Sequence, residues 1–216
     1  MICDPVVTSL RSMELRGAIV PGRPLVVVAV HLEAEHLGTD WPVLVTGIGK
    51  VSASQSILSL LGPLDAPSRP SSLVNLGTAG ALRPGVQGTY VVGQTFQHDL
   101  DSSAIAELTG TDPSPWLSLG AGPVLDTGDQ FVRNPEQRSA LAERADLVDM
   151  EGYAVADAAR RLGLKVALVK HVSDDADHGA IKSWVESVAA CSEILGRWLE
   201  REGSALPVSE VQRAEE

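Results

Sequence analysis

Three stretches of this 216-residue sequence place carboxylates where proton chemistry is possible. Ser173-Asp174-Asp175-Ala176-Asp177 sets three carboxylates within four positions. Crowded carboxylates raise one another's pKa, and that keeps an acid protonated near neutral pH, ready to donate. Asp149-Met150-Glu151-Gly152-Tyr153-Ala154 opens a segment of helical period, so Glu151 falls in its first turn. There it is either a cap or the acceptor of two hydrogen bonds from a vicinal diol such as ribose. In His31-Leu32-Glu33-Ala34-Glu35 the two glutamates either begin a solvated helix and complement its dipole or stand at the edge of a site.

Glycine turns and one aromatic add to these. Thr46-Gly47-Ile48-Gly49-Lys50-Val51-Ser52 fails as a Walker loop, with Leu44 in place of its first glycine and Val51 after the lysine. It fails as a dinucleotide fingerprint too, because Ser52 stands at the third glycine. What remains is a turn that brings backbone N–H groups near a polar ligand. Asn75-Leu76-Gly77-Thr78-Ala79-Gly80 is a second small-residue turn, open to ligand approach. Gly128-Asp129-Gln130-Phe131-Val132 carries one of only two phenylalanines directly after a polar turn, where it either stacks on a flat ligand or joins the core. His98-Asp99-Leu100-Asp101 lacks the further converging ligands that a metal needs and reads as hydrogen bonding instead.

The elements that must position these groups follow from hydrophobic periodicity. Leu25–Val30 is a continuous apolar run, the pattern of a strand buried on both faces. Shorter runs recur at 43–45, 73–76, 90–92 and 166–169. Helical stripes lie between them at 51–61 and 151–163, and a third runs through Ile181, Trp184, Val185, Val188, Leu195, Trp198 and Leu199. Strands alternating with helices predict an α/β fold, three layers around a mixed, largely parallel sheet. Such sheets bind ligands beyond the carboxyl ends of their strands, which is where the motifs above fall. Residues 1–22 read as an extension, 23–202 as one domain, and 203–216 as an acidic tail that frays.

Composition narrows the partners. Lys and Arg number 17 against 28 Asp and Glu, a net charge of −11. This excludes polyanions and anionic membrane surfaces, which need clustered cations. Cys3 and Cys191 form no disulfide framework or zinc motif, and no apolar run is long enough to span a membrane. We therefore expect a cytoplasmic protein with neither nucleic acid nor membrane as partner, and with no metal or organic cofactor.

Five stretches in order, VTGIGKVSAS (45–54), VNLGTAGAL (74–82), DTGDQFV (126–132), VDMEGYAVA (148–156) and HVSDDAD (171–177), resemble the purine nucleoside phosphorylase and nucleosidase superfamily. Within it the sequence is most similar to the methylthioadenosine/S-adenosylhomocysteine nucleosidases. The resemblance implies hydrolysis of the N-glycosidic bond of a purine nucleoside by water. It implies that Asp174, in the Ser173-Asp174 pair, protonates N7 of the base, and that Glu151 binds the ribose hydroxyls with Met150 against the sugar. Phe131 would stack on the base and the Val132 backbone would read its edge. Glu33 would activate the water, with Glu35 as the other register, and Thr78 stands where the family usually has serine. A homodimer is also implied.

The bottom-up chemistry agrees, since cleaving a ribosyl bond needs an acid at the leaving group and an anion near an oxocarbenium-like sugar. The stretch 101–126, which helps shape the 5′ pocket in the family, is short and rich in Gly and Pro. Futalosine or a plain purine nucleoside therefore stays open as substrate. The rival readings are a phosphate-dependent phosphorylase and an inactive nucleoside-binding protein.

Overall fold

The computed structural model describes residues 13–203 and 205–214. The apolar run at 25–30 forms a strand at Leu25–Val28, with every side chain at most 1% exposed. In chain order the strands are β1 (Glu14–Arg16), β2 (Leu25–Val28), β3 (Val43–Val45), β4 (Ser72–Ala81), β5 (Thr89–Val91), β6 (Gln94–Gln97), β7 (Leu117–Ser118), β8 (Val124–Thr127), β9 (Leu147–Asp149), β10 (Lys165–Asp174) and β11 (Gln212–Arg213). The helices are α1 (Lys50–Leu61), α2 (Ser102–Thr109), α3 (Pro135–Ala142), α4 (Gly152–Leu162) and α5 (Ala180–Glu202), with 3-10 turns at His31–Ala34 and Ala66–Ser68.

All the strands join one mixed sheet. Its path runs β1-β3-β2-β4-β9-β8-β6-β7-β11, with β10 paired to β4 and to β5. The parallel pairs β3/β2, β2/β4 and β4/β10 form its centre. Alternate side chains of β2 serve opposite faces, as the two-residue period of a strand requires. Leu25 and Val27 join a cluster with Ile57 and Leu61 of α1 and Val155 and Ala159 of α4. Val26 and Val28 join another with Leu195, Trp198 and Leu199 of α5. The result is the expected three-layer α/β domain, and each fully buried Leu or Val stabilises it by about 1.5–3 kcal/mol.

Two segments differ from the sequence reading. Of residues 1–22, read as an extension, 1–12 lie outside the described residues, but Glu14–Arg16 pair antiparallel with β3 and extend the sheet. The tail does not fray over its described residues. Ser209 bridges to Val166, β11 pairs with β7, and Leu206, Val208 and Val211 pack against the core. Edge strands offer unpaired N–H and C=O groups, and these segments use them although neither is long enough to show a period.

Two backbone irregularities set up the site. The β4/β10 register is continuous from Ser72 opposite Lys165 to Ala79 opposite Val172, then shifts so that Asp174 faces Gly80. A shift of this kind re-aims the side chains beyond it. Ala176 is the only described non-glycine residue with positive φ, at 50°. Its amide donates to Asp174 Oδ1 at 2.9 Å, so the strained turn holds the carboxyl.

Candidate active site

A cavity of about 380 Å³ opens beyond the carboxyl ends of the strands. From β2 and the turn after it come Ala29, Val30 and Glu33; from β4, Thr78, Ala79 and Gly80; from β9 and its exit, Val148 to Glu151; and from β10, Ser173 and Asp174. The loop after β8 adds Gln130, Phe131 and Val132. All eight residues singled out for the site, Asp174, Glu33, Glu151, Met150, Phe131, Val132, Thr78 and Ser173, line this one space.

The structure separates Glu33 from Glu35. The 3-10 turn folds Glu33 back beneath the strand ends, 4% exposed, while Glu35 is exposed and outside the cavity. Glu33 Oε2 accepts the amides of Ala29 and Val30 at 3.0 and 3.4 Å. Its Oε1 accepts the Thr78 amide at 3.0 Å and the Thr78 hydroxyl at 3.2 Å. The carboxylate is therefore fixed from the turn after β2 and from β4.

Asp174 is held by its neighbours in a similar way. The Ser173 hydroxyl donates to Oδ2 at 2.8 Å and the Ala176 amide to Oδ1. Burial holds its pKa above the ordinary aspartate value against these two bonds, and the charges of Asp175 and Asp177 raise it by less. Crowding of carboxylates, the cause expected from the sequence, is thus secondary to desolvation. An acid with a raised pKa in a cavity can protonate a leaving group.

Glu151 is not the cap of its own helix. At the N-terminal boundary of α4 its side chain makes no capping bond and instead accepts the Gly49 amide at 2.7 Å. Gly49 has φ of 91°, a conformation that favours glycine. The next amide, of Lys50, donates to Asp129 Oδ1 at 2.9 Å. The glycine turn thus gives these N–H groups to carboxylates of its own chain rather than to a ligand, which corrects the expectation for this motif. Burial, then the Asp149 charge, pushes the Glu151 pKa up to about 8, against the opposite pull of Lys170 and the Gly49 amide.

Lys170, which the sequence reading passed over, is the cation beneath this group. It lies in β10 opposite Gly77, is 1% exposed, and pairs with Asp149 Oδ2 at 2.8 Å. Burial pulls its pKa down, yet Asp149, Glu151 and Glu33 together hold it above the ordinary lysine value. Gly77 makes the approach possible, because a Cβ there would lie 3.2 Å from both Lys170 Nζ and Glu33 Oε1. The signal available was one charged residue inside an otherwise apolar strand run.

The remaining expectations divide. Phe96 is in the core while Phe131 is 37% exposed at the cavity, so the aromatic after the glycine turn is the one placed to meet a ligand. His98 Nδ1 lies 2.9 Å from Asp126 Oδ1, Asp99 pairs with Lys50, and Asp101 caps α2. Ile181, Trp184 and Val185, read as part of a helical apolar stripe, face the cavity, with Ile181 and Val185 each 48% exposed. No residue from 101 to 126 lines the cavity of the single chain.

Comparison with known proteins places this geometry. Residues 34–201 match the Phosphorylase superfamily. A 5′-methylthioadenosine/S-adenosylhomocysteine nucleosidase of Marinomonas sp. is 29% identical, the match covering 72% of this chain and 77% of the relative. That of Actinobacillus succinogenes is 27% identical, covering 81% and 87%. Among solved structures, a Helicobacter pylori nucleosidase mutant with 5′-methylthioadenosine in its active site superposes with a TM-score of 0.73 at 20% identity, covering 87% of this chain and all of the other. A futalosine hydrolase mutant of the same organism gives 0.72 at 21%, covering 86% and 100%. At these identities the likeness to the solved structures is one of fold.

Proposed function

Because the chain belongs to the phosphorylase superfamily, we propose that it hydrolyses the N-glycosidic bond of a purine nucleoside of the methylthioadenosine or S-adenosylhomocysteine type. The observation that carries this reading is the meeting of a half-buried acid, Asp174, a fixed carboxylate, Glu33, and a diol acceptor, Glu151, around one cavity. The base lies against Phe131 with the Val132 backbone at its edge, and the sugar lies over Met150 and Glu151. Asp174 gives its proton to N7 as the C1′–N9 bond breaks, so the electron pair leaves on a neutral base. Positive charge develops on the sugar, where the Glu33 carboxylate favours it. Water adds to C1′ and passes its proton to Glu33, leaving free base and a ribosyl product.

A carboxylate at the nucleophile's place supports hydrolysis over phosphorolysis. Phosphate would meet Glu33, and among the described residues no arginine or lysine lines the cavity wall to offset that repulsion, Lys170 beneath it being already paired with Asp149. We also read the working protein as a cytoplasmic homodimer. The absence of 101–126 from its own cavity is what a pocket completed by a neighbouring subunit would leave.

The test is release of free base from methylthioadenosine, S-adenosylhomocysteine, futalosine, adenosine and inosine, each with and without phosphate. Base and free sugar formed without phosphate support the proposal. Ribose 1-phosphate formed only with phosphate would overturn it in favour of a phosphorylase. Nucleoside binding with no base released under either condition would identify an inactive binding protein.

A further inference from the structure

Trp184 belongs to the first turns of α5, which pass over the cavity. Its indole N–H donates to Thr78 Oγ1 at 2.9 Å. Thr78 in turn reaches Glu33 with both its amide and its hydroxyl. An indole nitrogen only donates, so Thr78 Oγ1 is the acceptor in that bond. The single hydroxyl proton of Thr78 is left to point at Glu33 or at a molecule beside it.

We propose that Trp184 is a positioning residue for the attacking water, because it fills one of the two acceptor positions of the Thr78 hydroxyl, biases that hydroxyl towards donating to the water, and so leaves Glu33 to take the water's proton. This rests on the hydrolytic reading above. At 3.2 Å the hydroxyl bond to Glu33 is longer than the 3.0 Å amide bond to the same oxygen, and it is the one a water would replace. The hydroxyl swings to the water and the water donates to the vacated position on Oε1. Held in this way, the water accepts from Thr78, gives one hydrogen to Glu33 and keeps a lone pair for C1′. As the C1′–O bond forms and the C1′–N9 bond breaks, the water's proton goes to Glu33 and that of Asp174 to the base, while Trp184 and Thr78 keep theirs. Without the indole N–H both lone pairs of Thr78 Oγ1 are open to the water's hydrogens, which are then more readily drawn away from Glu33.

Three variants of the intact chain test this: Trp184→Phe, Trp184 replaced by benzothienylalanine, which keeps the bicyclic shape and lacks only the N–H, and Thr78→Val. Loss of one orienting hydrogen bond should lower kcat about five- to tenfold in either Trp184 variant and leave KM within about twofold. Adding Trp184→Phe to Thr78→Val should cost nothing further, since the hydroxyl it orients is gone. An undiminished kcat in the benzothienyl variant would overturn the proposal. So would an equal cost of Trp184→Phe with and without Thr78, which would mean that the ring only packs. Should Trp184→Phe not fold, the benzothienyl variant decides, with and without Thr78→Val. Failure of the parent protein to release base from any nucleoside would instead sink the hydrolytic reading itself, before any variant is compared.

Discussion

Lys170 Nζ lies 2.8 Å from Asp149 Oδ2 with each side chain 1% exposed, and this buried ion pair carries the floor of the cavity. Replacing Lys170 by methionine leaves Asp149 buried without its counter-charge, beside Glu151 and Glu33. Breaking a buried pair in this way costs about 3–5 kcal/mol. The urea unfolding midpoint of Lys170→Met should fall accordingly, and a midpoint equal to the parent's would show that the pair does not hold the site together.

Asp174→Asn keeps the side chain's size and removes its proton. Base release should drop by about 10²–10⁴, the usual contribution of a general acid, while nucleoside binding measured by calorimetry persists. Because burial raises the pKa of Asp174, the parent's kcat should fall as pH rises through that elevated value. A flat profile on the alkaline side would exclude Asp174 as the proton donor.

Glu151 links stability to pH. Its pKa of about 8 in the folded chain lies above the ordinary glutamate value of 4.5, so between these two values the folded state holds a proton that the unfolded state has lost. The contribution to stability is therefore fully present below about 4.5 and is lost as pH rises towards 8. The melting temperature of the parent should decline across that window, and Glu151→Gln, with nothing to titrate, should decline less. Parallel curves for the two proteins would refute the assignment.

Gly80 faces the acid directly. A Cβ there would lie 3.1 Å from both Asp174 Oδ1 and Ala176 Cβ, and 3.3 Å from Val148 Cγ1. Gly80→Ala should cost about 1–3 kcal/mol of stability through overpacking. Displacing the acid by a fraction of an ångström should also lower kcat by more than tenfold, since about 1 Å of misplacement costs on the order of 10². Full activity with unchanged stability would mean that the strained turn at Ala176 yields freely.

Much of this protein was decided locally. The apolar runs at Leu25, Val43, Leu73 and Val166 and the stripes between them determined the layers, because burial on two faces or on one stripe is written in consecutive residues. Five short motifs determined the superfamily. What the sequence could not decide depends on groups that meet from far along the chain: Glu33 with Thr78 across 45 residues, Gly49 with Glu151 across 102, and Trp184 with Thr78 across 106. Glu33 and Glu35 are chemically alike and two positions apart, and only the tertiary fold buries one and exposes the other. The start of α5 carries the same apolar period whether it faces a core or a cavity, so the period of Ile181, Trp184 and Val185 does not tell which. Lys170 acquires its meaning only where β10 meets Asp149 of β9, Glu151 just beyond it and Glu33 of the turn after β2. Periodicity reports how a segment is buried, whereas the partner of a buried charge is set by the crossing of strands that no local pattern encodes.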